Sequence, residues 1–181
     1  MSNLTVMTPA ESLAPDDQRR PRMVDRASAR LATWLARHSV DILRISLGLV
    51  FLGFAVLKYF PGVSPAEDLA IRTVETLSLA MLSGYGALVA TAIVETFIGI
   101  TLITGKFLRV GLLVLGGAMV GILSPLVLFF GDLFPGAPTI EAQYVLKDIV
   151  LVAAALVVTA RALGARLVTD QPRSSLKEQQ L

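Results

Sequence analysis

Cysteine and histidine are nearly missing from this 181-residue sequence, which has no cysteine and one histidine, His38. Without cysteine the chain forms no disulfide, binds no metal through thiolates and holds no covalently attached c-type haem. With one histidine it cannot hold a haem between two histidines, and a histidine-rich copper or zinc site is excluded as well. We therefore expect no metal site and no covalently bound cofactor.

Charged residues are also scarce, at 17% of the chain, whereas apolar residues make up 54%. The length is that of one domain, and the core of one soluble domain is too small to hide so much apolar surface. The composition therefore predicts a membrane protein whose main partner is the lipid bilayer, and we expect no nucleic-acid partner.

Four segments are long and apolar enough to cross about 30 Å of hydrocarbon as helices, which takes about 20 residues each. These predicted spans are residues 40–59, 86–104, 107–130 and 144–163. The short turn Thr104-Gly105-Lys106 makes the second and third antiparallel neighbours. The predicted fold class is all-α, with a transmembrane four-helix bundle over residues 40–163.

Features of the third span predict how it packs. The span contains Gly111, Gly116, Gly117 and Gly121, and the last two stand four residues apart, a spacing that lets helix backbones approach closely. Ser124-Pro125 predicts a kink. The kink either opens a cavity or is a local bend without function.

Lysine and arginine in the short flanks predict the orientation. Twelve basic residues lie before the first span, in or near the turn at 104–106, or at and after the end of the fourth span, whereas the opposite side has only Arg72. Both termini are therefore predicted to be cytoplasmic. Residues 1–22 lack the apolar core of a signal peptide and are predicted to be a disordered tail, and residues 164–181 a second cytoplasmic tail.

Two helices that do not cross the membrane are predicted. Residues 23–39 have a basic amphipathic pattern, typical of a helix on the anionic inner leaflet with Trp34 at headgroup depth; a partner-binding helix is the alternative. Residues 65–82 follow the motif Ser64-Pro65-Ala66-Glu67, which resembles a capping box with proline at the first helical position. We expect this second helix to lie on the outer surface, where it covers part of the bundle.

Ionisable residues inside the spans are the candidate functional residues, because each charge costs about 2.5–3.5 kcal/mol at mid-membrane unless it is paired or hydrated. They are Arg44, Lys58, Glu95, Lys147 and Asp148. Glu95 is the tenth residue of a nineteen-residue span, so it must pair with a cation, contact water or stay protonated. We favour the two lysines over Arg44 as its partners, since with Asp148 they form a nearly balanced cluster.

This cluster has two interpretations. It is a salt-bridge network that fixes the helix arrangement, or it lines a polar pocket open to the outer leaflet that holds a quinone-like headgroup or relays protons. In the second case Lys58 and Lys147 donate hydrogen bonds to carbonyl oxygens, and Glu95 exchanges a proton. For Lys58 alone, an interface lysine with its ammonium in the headgroup region is a further alternative.

Short motifs in the spans resemble those of the DoxX-like membrane proteins and of a related branch that includes a reactive-chlorine-resistance membrane protein. They are residues 43–51 (LRISLGLVF), Leu57-Lys58, Val94-Glu95 with Gly99, residues 124–127 (SPLV) and residues 144–148 (YVLKD). The resemblance covers residues 40–163. It implies a four-helix protein of the bacterial inner membrane.

The DoxX-like family is linked with oxidoreductases. Its namesake is similar to the small membrane subunit of a thiosulfate:quinone oxidoreductase or terminal quinol oxidase, and other members accompany oxidative-stress systems. The resemblance therefore implies an accessory or quinone-contacting subunit with a redox enzyme as partner. The alternatives are a small-solute or lipid carrier, although the chain has no internal inverted repeat, and a structural membrane scaffold without chemistry of its own.

Overall fold

The computed structural model describes residues 23–64 and 66–165, with the side chains from residue 27 onward. All regular secondary structure in this part of the chain is helical. The helices are α1 (Met23–Lys58), α2 (Glu67–Leu77), α3 (Gly84–Thr104), α4 (Leu108–Leu123), α5 (Pro125–Leu128), α6 (Phe130–Leu133) and α7 (Ile140–Ala162).

Three helical stretches are long and apolar enough to cross a membrane: Ala27–Lys58, Gly84–Thr104 and Leu108–Leu128. Large apolar side chains cover their outward sides; Leu113 and Val120, for example, are 78% and 73% exposed. Such a surface suits a lipid bilayer, where apolar side chains need no burial in protein. The chain is therefore a helical membrane protein. Helix α7, over the fourth predicted span, is not among the three stretches.

The described residues divide into two units, with residues 23–35 in the first and residues 36–165 in the second. In the first unit the described residues are helical and expose the apolar side chains of Leu31, Trp34 and Leu35. Helix α1 continues to Lys58, so the separate helix predicted over residues 23–39 was wrong. The physical reason is that no glycine or proline occurs between residues 23 and 47 to end a helix. The predicted tail 1–22, and nearly all of 164–181, lie outside the described residues.

Within the second unit, α1 and α3 cross at two glycines. A Cβ atom built on Gly48 would lie 3.0 Å from the carbonyl oxygen of Gly99, and one built on Gly99 would lie 3.0 Å from the carbonyl oxygen of Gly48. The two backbones are thus in direct contact, which only glycine permits at both positions. Side chains of α1, α3, α4 and α7 form the largest apolar core around this crossing, including Phe51 and Leu102.

The predicted close approach at Gly117 was wrong. A Cβ atom on Gly117 would have no neighbour within 4 Å, and one on Gly121 would reach only a side-chain carbon of Leu77 at 3.9 Å. Helices α3 and α4 approach at Gly111, another of the glycines predicted to pack the third span, where a Cβ atom would overlap the Thr101 side chain. The spacing of glycines on one helix does not reveal which of them face a neighbour.

The third span is interrupted where Ser124-Pro125 predicted a kink, since α4 ends at Leu123 and α5 begins at Pro125. Proline has no N–H group to donate to the carbonyl four residues earlier, which belongs to Gly121. The Ser124 hydroxyl donates to this carbonyl at 2.7 Å. The Gly121 carbonyl therefore keeps a donor although Pro125 cannot supply one.

Helix α2 is shorter than the helix predicted over residues 65–82, because Leu79 and Ala80 have left-handed backbones with φ of 53° and 60°. The predicted capping box was also wrong. Ala66 is the N-cap residue and makes no side-chain cap, and the Glu67 carboxylate accepts from the Gly62 N–H at 2.7 Å; Pro65 lies outside the described residues. Helix α2 packs against α3 and α4, and its buried Leu69 belongs to a second apolar cluster with Leu133, Ala142 and Val145.

We expect Gly48→Ala to lower the free energy of unfolding by about 1–3 kcal/mol relative to Gly117→Ala. Both substitutions bring the same gain in helix propensity, but only the first places a methyl group against a backbone. Unfolding titrations in mixed micelles measure the difference. Equal stability of the two variants would contradict a direct backbone contact at Gly48.

Candidate functional site

The buried ion pair of this molecule joins α1 and α3. The Lys58 Nζ atom lies 2.8 Å and 2.7 Å from the two carboxylate oxygens of Glu95 and donates to both. Lys58 is 8% exposed and Glu95 is 5% exposed. Of the three cations that the sequence offered as partners for Glu95, Lys58 is the one that binds it. Its burial excludes an ammonium extended into the headgroup region.

Helix geometry explains how these two residues meet. Lys58 lies ten residues after Gly48, and Glu95 lies four residues before Gly99, so along antiparallel helices their Cα atoms differ in height by about 9 Å. The Cα–Cβ bonds of a helix tilt toward its N-terminus. The Lys58 side chain therefore leans back toward the crossing, and the Glu95 side chain leans toward the Lys58 end of the bundle. A long lysine side chain closes the remaining gap.

Two aromatic rings lie against the lysines of the cluster, and one of them, Phe54, contacts both. The Lys147 Nζ atom lies 3.9 Å from the centroid of the Tyr144 ring and 4.5 Å from that of Phe54, and Lys58 Nζ lies 5.7 Å from the Phe54 centroid. Both contacts of Lys147 are cation–π interactions. Sequence reasoning missed these rings. A signal was present, because Phe54 is four residues before Lys58 and Tyr144 three before Lys147, spacings that share a helix face.

Asp148 completes the group. It is half-buried, and it interacts electrostatically with Lys147, Lys58 and Glu95. Lys147 is more exposed, and none of the described carboxylates lies within 4.0 Å of its ammonium. The structure thus brings together Lys58, Glu95, Lys147 and Asp148, and we call these four residues the ionisable cluster.

Arg44 lies away from the ionisable cluster. Its guanidinium donates to the carbonyl oxygen of Leu102 and, at 3.4 Å, to that of Ile103, in the last turn of α3. Carbonyl groups in that turn lack helical partners, and a cation is favourable at the negative end of the helix dipole. Asp41 is the nearby carboxylate, at 3.8 Å. Arg44 therefore caps a helix, and its predicted place in the polar pocket was wrong.

A cavity of about 360 Å³ borders the ionisable cluster, within the range of small-molecule sites. Helices α1, α2, α3, α4, α5 and α7 supply its walls, which are mainly apolar. The buried Pro125 lies in the lining, at the predicted kink. The polar side chains of the lining are Lys58, Ser64, Thr73, Thr91, Glu95, Tyr144, Lys147 and Asp148. The arrangement can hold a small amphipathic molecule with oxygen atoms toward the lysines.

Fold and site thus define a helical membrane protein with a buried ion pair beside an apolar cavity. Comparison of the chain with protein-family models, with curated proteins and with solved structures gives no match.

We expect Lys58→Met to lower the free energy of unfolding by about 3–5 kcal/mol, because it leaves a carboxylate buried without its cation. The double variant Lys58→Met/Glu95→Gln should recover part of this loss. Arg72→Met is the control, since its ion pair with Asp132, at 2.8 Å, is half-exposed and contributes about 0–1 kcal/mol. Unfolding titrations in mixed micelles measure the free energies. If Lys58→Met and Arg72→Met lowered the free energy of unfolding equally, the buried pair would not be the stronger of the two.

Proposed function

We propose that this chain is a DoxX-like protein of the bacterial inner membrane whose cavity binds the headgroup of a membrane quinone. It acts as an accessory subunit of a redox or oxidative-stress system, with a redox enzyme as its partner. The motif resemblance in the spans supports the family. The observation that carries the function is the cavity of about 360 Å³ with an ionisable cluster in its lining.

The lining suits a quinone headgroup, which is a flat, neutral ring with carbonyl oxygens. Its apolar majority matches the ring and the beginning of an isoprenoid tail. Lys58 and Lys147 balance the charges of Glu95 and Asp148, so a neutral headgroup leaves no net charge uncompensated in lipid. Ammonium groups donate to carbonyl oxygens, and carboxylates accept from hydroxyl groups. Quinone bound here, when present, supplies the redox chemistry; the residues of the chain bind and orient it.

The membrane arrangement that we propose has four spans, with α7 as the fourth. Helix α7 packs against α4, and it exposes Val150 and Leu156 by 69% and 66%. With four spans both termini lie on one side, and the basic flanks make this the cytoplasmic side. Membrane-surface placement of residues 23–39 stays a prediction.

We expect quinone to co-extract with the full chain when it is purified from bacterial membranes in mild detergent. Ala70→Phe should reduce the bound quinone by about tenfold, because the ring fills space beside the cavity wall; a tenfold loss corresponds to about 1.4 kcal/mol. Ala153→Phe is the control, since Ala153 is exposed on α7 and is not in the lining. Solvent extraction and chromatography measure the quinone.

Absence of quinone from the wild-type protein would overturn the proposed function. Solute or lipid flux through proteoliposomes containing only this chain would instead favour the carrier alternative. A chain with neither ligand nor flux would be a scaffold.

A cysteine-free chain allows a direct test of the membrane arrangement. In intact cells, a membrane-impermeant thiol reagent should label Val63→Cys but not Lys106→Cys, Ser2→Cys or Ser174→Cys. These last three should react only after the membrane is opened. Labelling of Ser174→Cys from outside would show that α7 does not cross.

A further inference from the structure

Two lysines line the cavity, and their surroundings differ in a way that assigns them different tasks. Resting on the proposed function, we infer that Lys147 is the residue that donates to the bound headgroup. Asp148 accepts from the headgroup when it carries a hydroxyl group. The Lys58–Glu95 pair stays closed and positions the helices around the ligand.

Lys58 is already committed to Glu95. Its ammonium donates to both carboxylate oxygens, at 2.8 Å and 2.7 Å, and both residues are almost fully buried. Turning this ammonium toward a neutral carbonyl would exchange an ionic partner for a weaker one and leave the Glu95 charge unpaired in the membrane. The pair therefore remains closed when a ligand binds.

Lys147 is held in a different manner. The faces of Tyr144 and Phe54 attract its charge, at 3.9 Å and 4.5 Å, and none of the described carboxylates lies within 4.0 Å of it. A ring face attracts a cation but is no oxygen acceptor, so the N–H groups of the ammonium keep their capacity to donate. The rings thus hold the ammonium at the cavity wall in a form ready to bind a carbonyl oxygen.

Asp148 supplies the complementary group. It follows Lys147 in α7, lies in the same cavity lining and makes no hydrogen bond with any residue that the structure describes. The cavity lining therefore offers one donor and one acceptor from successive residues of α7. They fit a neutral ring that carries carbonyl oxygens in one redox state and hydroxyl groups in the other. An anionic lipid headgroup fits less well, because Asp148 would repel it.

The test uses the full chain in phosphatidylcholine nanodiscs with decylubiquinone as the probe. A ligand that binds only the folded state raises the unfolding temperature in proportion to its affinity, so the dependence on probe concentration gives Kd. We expect Lys147→Met to raise Kd by about tenfold or more, as loss of a hydrogen bond to a charged group should. Lys147→Arg keeps a cationic donor and should stay within about threefold of wild type.

Arg72→Met is the matched control, since Arg72 is a cation outside the cavity lining whose ion pair with Asp132 is half-exposed. It should keep Kd within about threefold of wild type. The infrared carbonyl stretch of the bound probe gives a readout that a structural role would not change. This band should lie at lower wavenumber in wild type and Lys147→Arg than in Lys147→Met.

Asp148→Asn should weaken binding of the reduced probe, decylubiquinol, more than binding of decylubiquinone. Unchanged quinone affinity in Lys147→Met would overturn the assignment while the proposed function stands, since the wild type would still bind. A tenfold loss in Arg72→Met would likewise overturn it, because the loss would then follow from removing any cation and would not be specific to Lys147. Absence of probe binding to the wild type would reject the proposed function together with this assignment.

Discussion

An ion pair inside a hydrocarbon environment constrains this molecule more than any other contact. Lys58 and Glu95 are both almost fully buried, so each charge depends on the other for its stabilisation. That requirement fixes the rotation of α1 and α3 about their axes and their relative height. The Gly48–Gly99 crossing meets it by bringing the two backbones into contact. Cavity walls formed by these helices are positioned by the same two features.

Much of the site was predictable, because charges are rare in apolar segments and therefore informative. The need of Glu95 for a cation followed from its central position in the second span. The choice among Lys58, Lys147 and Arg44 did not follow, since their Cα atoms lie at similar distances in depth. The tilt of the side chains and the position of the Gly48–Gly99 crossing determine that Lys58 is the partner of Glu95. Phe54 and Tyr144 were missed because aromatic residues in lipid-facing segments are common and carry no charge to mark them.

The membrane character and the approximate positions of the long helices were predictable from apolar length alone. Helix ends and contact points were less so. The start of α7 depends on the Thr139 hydroxyl, which accepts from the Ala142 N–H, and the end of α2 on left-handed backbones at Leu79 and Ala80. Which glycines face a neighbour depends on helix rotation, which the local pattern around Gly117 does not encode.

The break at Pro125 affects the character of the cavity wall. Gly121 and Pro125 both belong to the lining. Proline has no N–H group, and the Gly121 carbonyl already accepts from the Ser124 hydroxyl of its own turn. The interruption of the third span therefore adds no free N–H group at Pro125 and no unpaired oxygen at Gly121 to a mainly apolar wall.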